Sequence, residues 1–272
     1  MEGRVLVIAG SDSGGGAGIQ ADIKTITALD AFAMTAVTAI TAQDTHGVHA
    51  VHAVPAEMVR QQMIRVLDDL GADAVKTGML GDASVIDAVC AVLEGRAGGL
   101  PVVVDPVMVA KGGARLLDHA AMAHLKRRLL PLATLLTPNL PEAEALSGMQ
   151  IATEAQMHHA ADTLLTLGVP AVLLKGGHLP GETVIDLLAT ERGVEVFRSP
   201  RIATRHTHGT GCTLASAIAA GLAQGMKLRD AVARGRAYLR AAIATAPGYG
   251  TGHGPLNHAV TVDASTLMVE MT

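Results

Sequence analysis

The sequence predicts a single α/β domain over residues 1–272, with a mostly parallel sheet covered by helices on both faces. Short apolar runs alternate with longer segments of helical periodicity along the chain, which is the pattern of strand–helix repeats. The run PVVVDP at residues 101–106 is almost continuously apolar, as expected for a strand buried on both faces. No sequence repeat, charge block or low-complexity linker suggests a second domain.

Predicted strands and helices alternate along most of the chain. The first strand is predicted from RVLVIAG, and a Gly/Ser loop and a helix from about Gly18 to Ala31 follow it. The second strand is predicted from MTAVTAITAQ, which is rich in Thr, Val and Ile. Later strands are predicted from ADAVKTG, PVVVDP, ATLLTPN and PAVLLKGG, and helices from PAEMVRQQMIRVLDDL and DASVIDAVCAVL, the second capped by Asp82. The segments TVIDLLAT and VEVFRSP predict a hairpin, and two Ala-rich helices close the chain.

Composition argues against several classes of partner. A net charge of −4 with 17% charged residues gives no basis for binding nucleic acid or an acidic membrane. Aromatic residues make up 1% of the chain, too few for a platform that stacks bases. The two cysteines, Cys90 and Cys212, do not make a disulfide framework, and Cys90 is expected to be a small buried hydrophobe. The apolar run at residues 5–9 is too short for a signal peptide, so we expect a cytoplasmic protein.

Polar or glycine-rich segments follow six of the predicted strands. Because ligands of open α/β sheets bind outside the carboxyl ends of the strands, these segments predict a binding site at that edge. The six segments are AGSDSGGGAG, TAQDTHG, KTGML, DPVM, TPNLPEAE and KGGHL.

The segment HGTGCTLASAIAAG predicts a glycine turn that opens a helix. Gly209 and Gly211 permit close backbone approach, and the N–H groups and dipole of the helix that begins near Cys212 favour an anion. Together they suit a phosphoryl group in transfer. A plain helix N-terminus after a turn is the alternative interpretation.

The loop after the first strand fits the dinucleotide-binding pattern only loosely. Residues 16–21 read G-x-G-x-x-A, but the strand ends near Ala9 and no ribose-binding acid follows at the usual distance. The sequence contains no Walker lysine motif, so a nucleoside triphosphate would have to be held in another way.

Three polar side chains at strand ends are candidates for a magnesium site. Asn139 and Glu142 lie three residues apart at a strand-to-helix junction, which suits Mg²⁺ held largely through water. Asp105 ends a buried strand, where a carboxylate is costly unless a cation uses it. The alternatives are a first-turn helix acid for Glu142 and a turn before proline for Asp105.

Two further side chains are candidates for ligand contacts. Lys175 ends an apolar strand, where its ammonium could reach a phosphate, or could simply extend into solvent. Gln43 could bind a heteroaromatic ring through its paired donor and acceptor, or could merely solvate a strand end. His206, His208 and Cys212 match no common zinc spacing, so a zinc site is disfavoured.

The motifs together resemble those of the hydroxymethylpyrimidine/phosphomethylpyrimidine kinases of thiamine biosynthesis, which have the ribokinase-like three-layer αβα fold. The resemblance runs from about Val5 to His258. It rests on AGSDSGGGAGIQADIKT, TAQDTHGV, VKTGML, VVVDPVM, LTPNLPEAE, LLKGGHL, HGTGCTLASAIAAG and GHGPLNH. The family phosphorylates 4-amino-5-hydroxymethyl-2-methylpyrimidine with ATP and Mg²⁺, then phosphorylates the monophosphate to the diphosphate. It also implies a homodimer.

The resemblance implies a role for each matching residue. Gln43 would hydrogen-bond the aminopyrimidine, and the residues lining its pocket would be Gly10, Ala17, Met79 and Val107. Lys175 and Thr210 would contact the nucleotide, while Asn139, Glu142 and Asp105 would organise Mg²⁺·ATP. Gly209 to Cys212 would form the anion hole, with Cys212 next to the reacting oxygen. The chain departs from the family pattern at Asp44, Arg205 and His206, where other residues are more usual.

Cys212 stands where sugar kinases of this fold usually have a catalytic aspartate. A carboxylate about 4 Å from a phosphate monoester would repel it by about 4 kcal/mol per unit charge at an effective dielectric constant of about 20. A thiol can stay neutral beside that substrate. We expect the helix N-terminus to lower the pKa of Cys212, so that the thiol could also act as a base toward the alcohol.

Three alternative functions follow from the same residues. A pyridoxal kinase of this fold would also act on a hydroxymethyl heteroaromatic. A nicotinamide-dependent dehydrogenase would use residues 16–21, and a non-catalytic nucleotide-binding regulator would tolerate loss of Cys212 and Lys175. The segment Val109–Ala114 is the candidate for a loop that closes over the site.

Overall fold

The computed structural model describes residues 1–108 and 119–263, and these residues form a three-layer α/β/α arrangement. Nine strands in the described residues make one sheet in the order β3-β2-β1-β4-β5-β6-β7-β8-β9. The strands are β1 (Arg4–Asp12), β2 (Phe32–Gln43), β3 (Val48–Ala53), β4 (Ala74–Thr77), β5 (Val102–Val104), β6 (Leu135–Leu136), β7 (Ala171–Lys175), β8 (Thr183–Thr190) and β9 (Gly193–Pro200).

Eight α-helices lie within the described residues. They are α1 (Gly18–Ala28), α2 (Ala56–Asp69), α3 (Ala83–Arg96), α4 (His119–His124), α5 (Leu140–Ser147), α6 (Glu154–Leu165), α7 (Thr210–Ala223) and α8 (Leu228–Ala244). A π-helical turn (Leu125–Leu129) and a 3₁₀ turn (Leu130–Leu132) continue α4. None of these helices is long and apolar enough to cross a membrane.

The six central strands β2, β1, β4, β5, β6 and β7 are parallel to one another. Strand β3 at one edge and strands β8 and β9 at the other pair antiparallel. The expected hairpin is β8–β9, paired from Thr183↔Pro200 to Thr190↔Gly193. Strand β3 was not predicted from the sequence, because its segment VHAVHA does not alternate apolar and polar residues, and its residues are mostly exposed at the edge of the sheet. The predicted sheet with helices on both faces is confirmed.

Alternate residues of β1 face two separate cores. Leu6 and Ile8 pack into the core formed with α2 to α6, while Val5 and Val7 pack against α1, α7 and α8. This period of two, with burial on both faces, explains why the strand reads as one apolar run. Cys90 is fully buried in the first core, as expected.

Candidate active site

All six polar segments meet at the carboxyl edge of the sheet, as predicted. They line a cavity of about 480 Å³. Every candidate residue of the sequence analysis for substrate or anion binding lines this cavity: Gly10, Ala17, Gln43, Met79, Val107, Lys175, Gly209, Thr210, Gly211 and Cys212. Asp105, Asn139 and Glu142 line it as well. The segment Val109–Ala114, expected to close over the site, lies outside the described residues.

The glycine-rich loop after β1 folds around the carboxylate of Asp12. The N–H of Gly14 donates to Oδ1 at 2.8 Å, and those of Gly16 and Ala17 donate to Oδ2 at 3.0 and 2.8 Å. The loop amides that a dinucleotide pyrophosphate would need are therefore used by the protein's own side chain. The loose fit of residues 16–21 to the dinucleotide pattern reflects this internal turn, which argues against a dehydrogenase.

A buried histidine connects this loop to the other side of the cavity. Nε2 of His208 lies 2.9 Å from Oδ2 of Asp12 and 3.0 Å from the side-chain amide of Gln43. Burial favours the protonated form of Asp12, but the hydrogen bonds from His208 and from the N–H groups of Ala17 and Gly14 prevail and lower the pKa of Asp12. From the sequence, His208 was considered only as a zinc ligand, and Asp12 was not recognised as a site residue.

The turn before α7 has the geometry expected of an anion hole. Gly209 has φ of +81° and stands at the N-cap position, where it contributes no side chain to occupy the first N–H groups of the helix. A Cβ on Gly209 would lie 1.8 Å from the carbonyl oxygen of Gly16, so only glycine fits. The helix N-terminus can thus offer free donors and its positive dipole end to an anion in the cavity.

Cys212 lies in the first turn of α7 and is half-buried. Desolvation by burial raises the pKa of its thiol to about 12; nearby Lys76 and the N–H of Gly18 oppose this shift, while Asp22 adds to it. The expectation that this pKa would be lowered is wrong, because desolvation outweighs the opposing effects of Lys76 and the N–H of Gly18. At neutral pH the thiol is therefore protonated.

A buried ion pair lies beneath α7. Nζ of Lys76 is 2.9 Å from both carboxylate oxygens of Asp22, and Ser216 donates to Oδ1 of Asp22 at 2.6 Å. Lys76 and Asp22 are both fully buried. Ser216 follows Cys212 by one helical turn, so the pair lies on the same side of α7 as the thiol. This cluster was not predicted from the sequence, although a lysine inside the apolar strand AVKT was the available signal.

Lys175 forms an ion pair with the buried carboxylate of Asp105. Its Nζ lies 3.0 Å from Oδ1 of Asp105, to which Thr137 also donates at 3.1 Å. A Cβ on Gly211 would lie 3.3 Å from Nζ of Lys175, which places the ammonium against the glycine turn. Burial disfavours the ammonium, but Asp105 and Glu142 prevail and raise the pKa of Lys175. The alternative of a lysine extended into solvent is wrong.

Asn139 and Glu142 form a capping box at the start of α5. Oε2 of Glu142 accepts from the N–H of Asn139 at 2.8 Å, and Oδ1 of Asn139 accepts from the N–H of Glu142 at 2.9 Å. The alternative interpretation of Glu142, as an acidic residue in the first turn of a helix, is therefore correct. Burial raises the pKa of Glu142 to about 7, with Lys175 opposing and Asp105 adding to the shift.

A second cavity of about 300 Å³ adjoins the first. The two cavities share Asn139, Lys175, His178, Thr207, Thr210 and Gly211. Arg201, Arg236, Arg240 and Asp186 line only the second cavity. Arg236 pairs with Asp186 at 2.8 Å, so the positive charge of this wall comes from Arg201 and Arg240. The glycine turn and Lys175 thus lie where the two cavities meet. From this position they could contact a chemical group that is transferred from a ligand in one cavity to a ligand in the other.

The described residues contain no cluster of three or more His, Cys, Asp and Glu side chains that could hold a metal ion. Asp105 and Glu142 could contribute to a metal site only together with ligands from outside the protein, such as water or phosphate.

The family is decided by a comparison with known proteins. A family model described as phosphomethylpyrimidine kinase matches residues 12–257. The chain belongs to the phosphomethylpyrimidine kinase family.

Named relatives of this kinase family cover nearly the whole chain. The chain is 47% identical to a hydroxymethylpyrimidine/phosphomethylpyrimidine kinase of Streptomyces coelicolor, over 93% of each protein. It is 48% identical to the Bacillus subtilis protein of the same name, over 94% of each. It is also 52% identical to a thiamine biosynthesis bifunctional protein of Geobacter sulfurreducens, of which it spans only 52%.

Solved structures confirm the ribokinase-like fold of this kinase. A pyridoxal kinase from Staphylococcus aureus in complex with AMP-PCP and pyridoxal superposes with a TM-score of 0.89 at 34% identity, covering 97% of this chain and 96% of the other. An ADP complex of Bacillus subtilis pyridoxal kinase gives 0.88 at 36% identity, covering 96% and 98%. A phosphomethylpyrimidine kinase from Clostridium difficile gives 0.77 at 40% identity, covering 87% and 97%. The chain is therefore a phosphotransferase of this fold that uses ATP.

Proposed function

We propose that this enzyme transfers the γ-phosphoryl group of ATP to the hydroxymethyl oxygen of 4-amino-5-hydroxymethyl-2-methylpyrimidine, and then phosphorylates the resulting monophosphate to the diphosphate. The observation that carries this proposal is the junction of the two cavities at the Gly209–Cys212 turn and Lys175. One chamber would hold the pyrimidine and the other ATP, within a single catalytic domain.

The first cavity suits a small, neutral heteroaromatic ring. Met79 and Val107 give it apolar walls, and Gln43 offers an amide at one side. A Cβ on Gly10 would lie 3.1 Å from Cε of Met79, so the bare backbone leaves room for a flat ring. The hydroxymethyl group would then point toward Cys212 and the glycine turn.

The second cavity suits the triphosphate and nucleoside of ATP. Arg201, Arg240 and Lys175 would supply positive charge, and Thr210 and Asn139 polar contacts at the junction. The N–H groups of the first turn of α7 would hold the γ-phosphoryl group while it passes from ATP to the acceptor. Phosphoryl transfer depends mainly on such positioning and charge stabilisation.

The acidic residues at the junction fit a magnesium ion. Lys175 balances the carboxylate of Asp105. Glu142, whose pKa burial raises to about 7, would lose its proton when a divalent cation binds beside it, and the cation would offset the resulting charge. Glu142 and Asp105 would hold Mg²⁺, largely through water, with the backbone N–H of Asn139 fixing the Glu142 carboxylate. When bound, Mg²⁺ would neutralise charge on the phosphates of ATP.

A neutral thiol at position 212 is compatible with both acceptors. The monophosphate is already an anion and needs no base, and a protonated Cys212 does not repel it. For the alcohol, the hydroxyl proton would pass to an oxygen of the transferred phosphoryl group as the new O–P bond forms and the bond to ADP breaks. Cys212, in the turn beside the acceptor, could relay it by giving up its own proton as it takes that of the alcohol. Because the transition state is loose, this demands little basicity.

The second candidate is a pyridoxal kinase. The observation that favours it is the close superposition with the two pyridoxal kinase structures, at TM-scores of 0.88 and 0.89. Pyridoxal also carries a hydroxymethyl group on a flat heteroaromatic ring, so the same cavity could accept it.

We further propose that the enzyme is a cytoplasmic homodimer. Phe32, Ile40 and Val51, on β2 and β3, are 44%, 56% and 50% exposed at one edge of the sheet, and a second copy could cover them. Light scattering at micromolar concentration would give twice the 27.8 kDa chain mass if this is correct.

Phosphorus NMR of the reaction mixture tests the two-step function. With Mg²⁺, ATP and the pyrimidine alcohol, we expect a phosphomonoester signal first and pyrophosphoryl signals of the product later. A reaction that stops at the monoester would contradict the second step, and phosphorylation of pyridoxal alone would support the second candidate instead.

A further inference from the structure

Three side chains from distant parts of the chain form a hydrogen-bonded row that ends in the first cavity. Asp12 and His208 are buried, with 2% and 7% of their surface exposed, and Gln43 is half-buried at the cavity wall. Nε2 of His208 lies 2.9 Å from Asp12 and 3.0 Å from the amide of Gln43. The backbone of Gln43 is fixed separately, since its N–H donates to Oγ of Ser13 at 2.8 Å and that hydroxyl donates to its carbonyl at 2.9 Å.

The first pair determines where the proton of His208 lies. The carboxylate of Asp12 already accepts three backbone N–H groups, so it is an ionised acceptor. Nε2 of His208 must therefore carry a hydrogen, whether the ring is neutral or positively charged. The ring is also held from the other side, because a Cβ on Gly16 would meet its Cδ2 at 2.6 Å.

This proton in turn determines the orientation of the Gln43 amide. The structure places the amide nitrogen of Gln43 3.0 Å from Nε2 of His208 and the amide oxygen toward Thr41, but the oxygen and nitrogen of an amide are assigned from their partners. A protonated Nε2 whose single hydrogen points at Asp12 has no lone pair for an NH₂ donor, so the group that fits beside it is the oxygen of Gln43, which can share that hydrogen. The other end of the amide lies 3.5 Å from Oγ1 of Thr41, whose hydrogen is donated to the carbonyl of Ser11 at 2.8 Å. Thr41 therefore presents a lone pair to the NH₂ group, which agrees with the same orientation.

We propose that Asp12 and His208 are positioning residues that determine specificity: they hold the Gln43 amide so that the cavity accepts a 4-aminopyrimidine and rejects the corresponding 4-oxopyrimidine. The inference rests on the proposed function and adds to it the device that discriminates the two rings. Neither Asp12 nor His208 has to touch the reacting atoms for this role.

The chemistry of the two rings explains the discrimination. A 4-aminopyrimidine has an acceptor at N3 and a donor at the amino group, so NH₂ of Gln43 can donate to N3 while its oxygen accepts from the amino group. In the 4-oxo ring N3 carries a hydrogen and the exocyclic oxygen is an acceptor. The donor and acceptor positions are therefore exchanged relative to the 4-amino ring. To pair with it, the amide would have to turn over, and its NH₂ would then face Nε2–H of His208. Leaving such buried donors unpaired costs affinity.

The test compares kcat/KM for 4-amino-5-hydroxymethyl-2-methylpyrimidine and its 4-oxo analogue. We expect the wild-type enzyme to prefer the amino compound by about tenfold to a hundredfold or more. His208→Phe keeps an aromatic ring but removes the donor, and this preference should fall by about tenfold or more. His206→Phe, in the same loop, serves as the matched control and should retain the wild-type ratio.

A second variant covers the case in which His208→Phe does not fold. Gln43→Glu keeps an acceptor toward His208 but has no donor for N3, so it should retain a near wild-type melting temperature and shift its preference toward the 4-oxo analogue. Retained preference for the amino compound in this variant would contradict the proposed orientation. Equal loss of both activities in His208→Phe, with an unchanged ratio, would show that His208 is merely structural.

The two proposals fail in different ways. A wild-type enzyme that phosphorylates neither pyrimidine contradicts the proposed function, and this inference falls with it. A wild-type enzyme that phosphorylates both rings with equal kcat/KM leaves the kinase function in place and contradicts only the role of Asp12 and His208.

Discussion

Nζ of Lys175 lies 3.0 Å from Oδ1 of Asp105, and this ion pair stands where the two cavities of the active site meet. Both side chains are largely buried, with 14% and 3% of their surface exposed. A buried pair of this kind gains little net stability, but removing one partner leaves an uncompensated charge. The arrangement is better explained by a need for a fixed cation beside the glycine turn.

Replacement of Lys175 should lower both catalytic activity and stability, for two different reasons. We expect Lys175→Met to lower kcat by about a hundredfold or more, because a donor to the transferring phosphoryl group is lost. It should also destabilise the fold by about 3 kcal/mol, since Asp105 is left buried and unpaired. Urea unfolding and steady-state kinetics would measure the two effects.

The double variant Lys175→Met/Asp105→Asn provides the control. Neutralising the orphaned carboxylate should restore most of the lost stability without restoring activity. Recovery of activity together with stability would mean that Lys175 acts only through the fold.

Cys212→Asp should affect the two phosphorylations unequally. The introduced carboxylate can take a proton from the alcohol but repels the monophosphate, so we expect the second step to lose about tenfold or more activity relative to the first. Cys212→Ser, which is neutral and of similar size, is the matched control and should change both steps in similar proportion. An equal loss of both steps in Cys212→Asp would overturn the explanation given for a thiol at this position.

Glu142 should make the stability of the ligand-free enzyme depend on pH. Its folded-state pKa of about 7 lies above the reference value of 4.5, so the folded protein keeps a proton that the unfolded chain has released between these values. The free energy of unfolding should therefore fall as pH rises from about 4.5 to 7, by on the order of 3 kcal/mol from this group.

Glu142→Gln tests the origin of this effect. The amide can still complete the capping box with Asn139 but does not titrate. Its free energy of unfolding should lose less between pH 4.5 and 7 than that of the wild type, and the variant should need more Mg²⁺ for half-maximal activity. A pH dependence identical to the wild type would assign the titration to another group.

The buried pair of Lys76 and Asp22 should be intolerant of single substitutions. Lys76→Met leaves Asp22 fully buried with only Ser216 as a side-chain partner in the described residues, so we expect a loss of about 3 to 5 kcal/mol by urea unfolding. Lys76→Met/Asp22→Leu removes both charges and should recover most of this loss. A single variant as stable as the wild type would contradict the ionised state of the pair.

The sequence allowed the sheet and the position of the site to be predicted because both follow from local patterns. Parallel strands end at a common edge, so the segments after β1, β2 and β4 to β7 had to converge. The pKa of Cys212 could not be predicted in this way, since it depends on burial among α1, β4 and α7. The contact between Asp12 and His208 spans 196 residues and is likewise invisible to spacing.

The partners of the buried charged residues could not be predicted from the sequence either. A lysine at the end of β7 and an aspartate at the end of β5 were each recognised as candidates, but their pairing depends on β6 lying between the two strands. Lys76 was overlooked because an isolated lysine in a short strand gives no sign of its partner on α1. Local sequence thus locates the reactive groups, and tertiary packing sets their charge and orientation.

The most direct test of the kinase assignment is release of ADP from Mg·ATP, measured separately with hydroxymethylpyrimidine, its monophosphate and pyridoxal. We predict turnover with both pyrimidine substrates, whatever the activity on pyridoxal. Turnover with pyridoxal alone, or with none of the three, would contradict the account.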